Sequence, residues 1–498
     1  MNGLALADQL RMDIGSFVDP TTRSKLGQFM TPAPVASFMV GLFGDLPDQI
    51  RLLDAGAGFG SLTAAFVHEA CMRARRPSSI HATAFEIDPA LAKRLKGTME
   101  ACADESRRFG IDFAFRIIGD DYILHSAEPL IANQDRVGVF NCAILNPPYA
   151  KINTASALRR ALRKLSIETS NLYTAFVAVA LEQLSPGGQM VAITPRSFCN
   201  GTYFAPFRKR LLEGAAIEHI HVYESRRKAF AEDEVLQENI IFRLTKGARQ
   251  PAQVCISSSE GPAAAGISRR MVPFTEVVAP DDRQRFIRLP VTVEGSELAA
   301  RVRALPATLR YLGLTVSTGR VVDFRAREHL RKEPGSDTVP LIYPMHFNGG
   351  FVHWPKTNGR KANALAFNAD TLDLVVPRGT YVLTKRFTSK EERRRIVAVI
   401  YDPQRIDAEH VGFENHLNYF HEDGHGLPPT LARGLAAFLN STAVDEFFRQ
   451  FSGHTQVNAT DLRNMHYPER SQLEELGAAI GDFMPDQATI DAMVEVLI

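Results

Sequence analysis

The chain has 498 residues, 45% hydrophobic and 23% charged, enough for two or three folded domains and unlike a disordered or fibrous protein. Its formal net charge of +1 neither demands nor forbids a polyanionic partner. No apolar run approaches a bilayer span, and the opening MNGLALADQLRMD lacks a basic n-region, so a cytoplasmic protein without membrane or signal segments is expected. Five scattered cysteines (Cys71, Cys102, Cys142, Cys199, Cys255) have no spacing suited to a metal or a disulfide framework.

In chain order, IRLLDAGAG is a short strand running into glycines, followed by the helical SLTAAFVHEACMRAR. IHATAFEID reads as a second strand, and PALAKRLKGTMEACADESRRFG as a helix opened by proline and closed by glycine. FAFRIIGDDYI and FNCAILNPPY are further strands. NLYTAFVAVALEQLSPGG is expected to be an amphipathic helix ended by Pro-Gly-Gly, with QMVAITP a strand after it. This alternation predicts a mostly parallel sheet covered on both faces. IEHIHVYES and ENIIFRLTKG then predict an antiparallel hairpin at the sheet edge. The stretch 246–290 reads as an edge strand and a linker. Beyond it, short β-like runs and a closing helix, LPPTLARGLAAFLNSTAVDEFFRQF, predict one irregular α+β domain.

Several basic clusters stand out at 158–164, 207–210, 225–228 and 385–395. Each alone reads more readily as a solvated face than as a phosphate site, and gains interest only if nucleic acid is placed nearby by another argument.

The strand ends carry the chemistry. In LLDAGAGFGS, Gly56, Gly58 and Gly60 sit where the first strand becomes a helix, so backbone can approach a ligand or simply make a tight turn. A dinucleotide fingerprint wants glycine where Ser61 stands, which favours a smaller nucleoside cofactor. Glu86, ending the next strand, can accept from two ribose hydroxyls or stand as a solvated carboxylate. Asp120-Asp121-Tyr122 can take an adenine amino group and cover a base, or form a turn.

After the fourth strand, Asn146-Pro147-Pro148-Tyr149 removes two backbone donors and fixes two φ angles, so the strand must stop in a stiff hook. The Asn146 amide oxygen and the Pro147 carbonyl suit a planar NH2 group, and the Tyr149 ring can stack on the system that bears it. Methyl transfer from a sulfonium donor to such an amine asks for positioning and electrostatics, not a covalent nucleophile.

Together GQFMTPAPVASFM (27–39), LDAGAGFGSL (53–62), AFEIDP (84–89), GDDYI (119–123) and NPPY (146–149) resemble the S-adenosylmethionine-dependent, TaqI-like γ-class adenine-N6 DNA methyltransferases. NLYTAFVAVALEQLSPGGQMVAITP (171–195) and FCNGTYFAPFRKRLL (198–212) extend the likeness, which spans roughly residues 23–245. It implies a Rossmann-like class I methyltransferase domain and S-adenosylmethionine as cofactor. By the same resemblance Thr31 lies over the methionine moiety, Asp54, Gly56 and Gly58 form the cofactor loop, and Glu86 takes the ribose. Asp120 or Asp121 takes the adenine amino group; Asp121, next to Tyr122, is the chosen candidate. Asn146 is shared between cofactor and target, and Phe204 matches the aromatic that contacts the extruded base.

The domains expected are a lead-in helix (1–25), the catalytic domain with its linker (26–285) and a DNA target-recognition domain (286–498). STGRVVDF, LIYPMHFNGGFVHWP, ENHLNYFH and SGHTQVNATDLRNMHYP look like such a recognition domain, with candidate base readers at 346–361 and 453–466. The function expected is site-specific adenine-N6 methylation of duplex DNA by a monomer, with the target base flipped out. An rRNA base methyltransferase is the alternative, and a non-catalytic cofactor-binding module a further one. Any cognate restriction endonuclease is expected on a separate chain.

Overall fold

The computed structural model describes residues 2–13, 30–132, 139–223, 238–261, 266–357, 359–388, 392–452 and 455–498. The basic cluster at 225–228 and part of that at 385–395 lie outside the described residues. Two compact units divide the chain, Met1–Val291 and Thr292–Ile498.

The first unit is built on nine strands: β1 (Gln49–Ala55), β2 (Ser79–Phe85), β3 (Asp112–Ile118), β4 (Phe140–Leu145), β5 (Leu184–Pro195), β6 (Ala215–Tyr223), β7 (Asn239–Lys246), β8 (Gln253–Ser259) and β9 (Ser268–Pro273). Their order is β3-β2-β1-β4-β5-β7-β6-β8-β9. Pairs from β3 to β5 are parallel, and β7 runs antiparallel to both β5 and β6. The chain steps outward from β1 through β2 to β3, then returns to place β4 on the other side. That reversal opens a crevice at the carboxyl ends of the strands, where ligands bind in such sheets.

Side chains alternate across the sheet with period two. Leu53, Ala55, Ala143 and Leu145 face a core shared with Tyr173, Phe176 and Val177. Ile50, Leu52, Cys142 and Ile144 face a second core with Val35, Met39 and Phe66. Both faces are therefore dry, as the apolar strands require. The Asp88 carboxylate accepts from the amides of Ala90 and Leu91, and Pro89 opens the helix Pro89–Arg108 as the proline predicts.

Three boundaries differ from the sequence reading. The helix Leu172–Gln183 ends before Pro-Gly-Gly, and those residues lie within β5. The register there jumps from Phe140↔Leu184 to Cys142↔Gln189, so Pro186 and the glycines form a bulge that leaves no ladder donor missing. The strand expected through 123 stops at Ile118, and Tyr122 begins the helix Tyr122–Ala132. The β6/β7 pair is not the edge, because the stretch expected as edge strand and linker supplies both β8 and β9 outside it.

In the second unit a five-stranded sheet orders Leu330–Arg331, Ala364–Ala366, Thr338–Ile342, His410–Phe413 and Val375–Pro377. A six-stranded sheet centres on Leu417–His421, Tyr381–Lys385 and Ala398–Tyr401. The expected closing helix is two, Pro429–Asn440 and Thr442–Phe451, broken at Ser441, whose extended backbone lets its Oγ cap the second through the Val444 amide. Helix Pro429–Asn440 crosses Arg470–Ile480 backbone to backbone: a Cβ on Gly434 would collide with the Leu473 carbonyl, and one on Gly477 with the Thr430 carbonyl. Among the described residues no helix is long and apolar enough to cross a membrane.

Candidate active site

At the crevice lies a cavity of about 230 Å3, whose wall includes Gly56, Gly58, Glu86, Asp120, Asp121 and Asn146. These residues come from the ends of four different strands, brought together by the parallel topology. Gly56 and Gly58 have φ of +81° and +57°, a region L side chains avoid. A Cβ on Gly58 would also stand 2.9 Å from the Met30 sulfur.

Glu86 is the organising carboxylate. One of its oxygens accepts the Gly58 amide at 2.8 Å and the other the Asp88 amide at 2.9 Å. Burial pushes its pKa up, and those two amides oppose the rise. Below the loop, Asp54 accepts from the Thr63 amide at 3.2 Å and the Thr63 hydroxyl at 2.7 Å, both on Oδ2. Its Oδ1 is buried with no partner among the described residues, and burial pushes the carboxyl up to about 7 against the Thr63 bonds.

Asp120 pairs with His125 at 2.9 Å, whereas Asp121 caps the following helix by accepting the Leu124 amide at 2.9 Å. Both carboxylates remain on the cavity wall. The Tyr122 ring packs edge-on to Phe85 at 5.0 Å, and its hydroxyl donates to Gln183 at 2.7 Å, so this side chain belongs largely to the core.

The hook is pinned on its far side, where the Leu172 amide donates to the Ala150 carbonyl at 2.8 Å. Asn146 is gripped at both ends of its amide: Nδ2 donates to the Thr31 hydroxyl at 2.9 Å, and Oδ1 accepts from the Tyr149 hydroxyl at 3.1 Å. Thr31 thus reaches the hook, while its neighbour Met30 stands on the cavity wall. Tyr149 meets Tyr173 edge-on at 6.2 Å, and Tyr173 meets Phe204 at 5.8 Å. Phe204 is only 4% exposed and belongs to the core beneath the hook; the ring this turn offers to solvent is Tyr203, 83% exposed. A stacking face expected of Phe204 is thus taken up by packing, because the one-turn helix Thr202–Phe204 points it at Tyr173.

The apolar part of the wall, Met30, Ile87, Leu158, Leu172 and Phe176, was not singled out from sequence. Leu172 and Phe176 stand four apart at the start of a helix that follows the hook, so helical spacing does put them on one face toward it. Burial pushes the Cys142 and Cys199 thiols up to about 12, which leaves them inert as nucleophiles.

Four of the sequence candidates for DNA contact are spent on structure. Arg208, buried within the 207–210 cluster, donates to the carbonyls of Phe198, Gly201 and Gln284. Among the expected base readers, His346 is 1% exposed and bonded to the Tyr343 amide and Asn363, while Arg463 and His466 bond the carbonyls of Val316 and Leu305.

The donor set fits a nucleoside. Glu86 has one amide on each oxygen and so keeps lone pairs for hydroxyl groups, and Asp120 and Asp121 add acceptors beside an apolar wall. Three carboxylates facing one cavity oppose a polyphosphate. Fold and site together define a class I methyltransferase, and its cofactor is S-adenosylmethionine.

The chain belongs to the type II methyltransferases of restriction–modification systems. It is 46% identical over 491 residues to the type II methyltransferase M.PstI of Providencia stuartii, covering 98% of this chain and 96% of that protein. It is 43% identical over 502 residues to M.BsuBI of Bacillus subtilis, covering 99% and 98%. Residues 104–230, which include the hook, match the Eco57I restriction-modification methylase family. Among solved structures, the restriction-modification enzyme MmeI in complex with DNA superposes with a TM-score of 0.55 at 12% identity, covering 99% of this chain and 73% of that one. The DrdV–DNA complex gives 0.52, also at 12% identity, over 95% and 59%. At that identity the likeness is one of fold. The match to type II methyltransferases along nearly the whole chain disfavours an rRNA substrate.

Proposed function

We propose that the protein methylates the exocyclic N6 of an adenine turned out of duplex DNA, at a site read by the second unit. Asn146, Pro147 and Tyr149 would hold the target amine, and Thr31, Asp54, Gly56, Gly58, Glu86, Asp120 and Asp121 would build the cofactor side. S-adenosylmethionine supplies a methyl carbon on a sulfonium sulfur, an electrophile that needs no covalent help from the protein. The difficulty lies with the amine, whose lone pair is conjugated into the ring. Acceptors on both of its N–H bonds draw the nitrogen toward tetrahedral geometry and stabilise the positive charge that grows there. Asn146 Oδ1 and the Pro147 carbonyl are suited to this, and the Tyr149 ring suits the base face. Phe204 would act from below, through Tyr173. Paired N6 cannot reach such a hook, so the base must leave the stack.

The observation that carries the reading is the grip on Asn146, bonded by Thr31 at one end of its amide and Tyr149 at the other. Asparagine at the head of the hook, where cytosine-N4 enzymes of this kind usually have serine, favours adenine. The protein would act as a single chain, with any cognate endonuclease separate. Nucleoside analysis of DNA from expressing cells tests the base: N6-methyldeoxyadenosine is expected, and N4-methyldeoxycytidine would refute the assignment. Asn146→Ala should slow single-turnover methylation by roughly 10²–10³-fold while leaving DNA affinity nearly unchanged.

A further inference from the structure

Phe324 is 76% exposed, on the turn that follows the strand Thr315–Thr318. The turn is not a loose tip. Gly319 donates to the Leu417 carbonyl at 2.8 Å and Val321 to that of Phe413 at 3.1 Å, while the Asn415 amide donates to Val321 at 2.8 Å. Val321 and Ala326 are buried on either side of the exposed ring. Asp323, next to it, accepts from the Tyr343 hydroxyl at 2.8 Å and from Lys361 at 2.5 Å. Arg320 is anchored to the Asp373 carbonyl at 3.1 Å. A single exposed ring is ordinary by itself, so what marks this one is the braced turn that holds it and the charge around it.

That charge says what kind of partner would suit it. Between 320 and 332 stand five cations against two carboxylates, Asp323 and Glu328. Arg320, Arg331 and Lys332 already bond backbone carbonyls, which leaves Arg325 and Arg327 as the candidates for phosphate. One of those carboxylates is already paired with Lys361. The Arg325 guanidinium lies 5.5 Å from the Phe324 ring centroid, which sets charge beside the ring. By contrast Phe483, 80% exposed, is flanked by Asp482 and Asp486, the wrong sign for a polyanion. An aromatic face framed by arginines matches a nucleobase framed by phosphates.

We propose that Phe324 is a DNA contact of the second unit, stacking on or wedging between bases while the neighbouring arginines hold phosphates. The inference rests on the methyltransferase's action on DNA, not on which base is methylated, and its test needs no chemistry. The probe is a duplex carrying the site mapped from methylated genomic DNA, with 2-aminopurine placed at each position in turn. The full-length Phe324→Ala protein should bind it roughly tenfold or more weakly, with the apoprotein melting temperature unchanged. Phe324→Trp should recover most of that loss, because the stacking face is restored. At one base step the fluorescence change seen with wild type should disappear in Phe324→Ala. Arg325→Gln should instead reduce the salt dependence of binding by about one counterion. Unchanged affinity of Phe324→Ala, or a lowered melting temperature showing that the ring packs within the protein, would overturn the proposal. Finding N4-methylcytosine as the product would sink the adenine assignment and leave this one standing.

Discussion

The Thr31 hydroxyl lies 2.9 Å from Asn146 Nδ2, tying a residue from before the first strand to the head of the hook, 115 positions away. The bond fixes which end of the Asn146 amide meets Tyr149. Thr31→Val keeps the shape and removes the acceptor, so the amide should sample both orientations. A neutral hydrogen bond of this kind contributes about 0.5–1.5 kcal/mol, and single-turnover methylation should fall by roughly 3- to 10-fold. Thr31→Ser should restore the rate. An unchanged rate for Thr31→Val would show that the tie does not position Asn146.

Tyr149 has two separable parts. Tyr149→Phe loses the hydroxyl bond to Asn146 and retains the ring, so substantial activity should remain. Tyr149→Ala loses the stacking face as well and should be nearly inactive. Burial raises the phenol's pKa far above neutrality, so no ionisation of this hydroxyl should appear in a rate profile between pH 6 and about 9.

Glu86, the proposed ribose acceptor, also serves the fold, because its two oxygens already hold the Gly58 and Asp88 amides. Glu86→Ala should weaken cofactor binding by an amount on the order of 1–3 kcal/mol. Since one buried and one partly buried amide lose their acceptor, the melting temperature should drop too. Glu86→Gln keeps one acceptor oxygen and should fall between the two proteins in both measurements. Calorimetry showing wild-type affinity for Glu86→Ala would move the ribose elsewhere.

A pair of histidines sets an acid limit on stability. His219 and His221 meet across Ser257, at 2.7 and 2.8 Å, between β6 and β8. Burial, with Arg243 and Arg269 nearby, lowers the first to about 4, and burial, with His219 and Arg269, lowers the second to about 3. Their folded pKa values lie below the unfolded value near 6.5, so the unfolded chain takes up protons that the folded one refuses. Stability contributed by the neutral rings is whole above pH 6.5 and is lost as pH falls toward about 4 and then 3. Urea midpoints should therefore decline across that window, and His221→Gln should flatten the decline. An equal slope in wild type and variant would place the acid sensitivity elsewhere.

Much of the first unit was legible because a doubly covered parallel sheet writes a strong alternating pattern, and glycines and prolines mark the strand ends. Strand ends on one edge are brought together by topology alone, so Gly56, Glu86, Asp121 and Asn146 could be grouped before any distance was known. What stayed hidden was non-local. Nothing in the sequence ties Thr31 to Asn146, or sends Arg208 to three carbonyls instead of a phosphate. Pro-Gly-Gly reads as a helix stop, yet the bulge it makes in β5 depends on pairing with β4. In the second unit the strands are two to five residues long, too short for periodicity to speak, and residues such as His346 were visible only as polar letters.

The contact of Gly434 with one helix and Gly477 with the other bears on how this protein can change over generations. Neither position has room for even a methyl group, because what it would strike is main chain. Variation at the crossing is thus closed off, whereas exposed side chains on the turns that emerge from the sheets carry no such restriction. On the proposed division of labour, in which the second unit reads the target site, the helical pair is a chassis on which that site can be rewritten without renegotiating the fold.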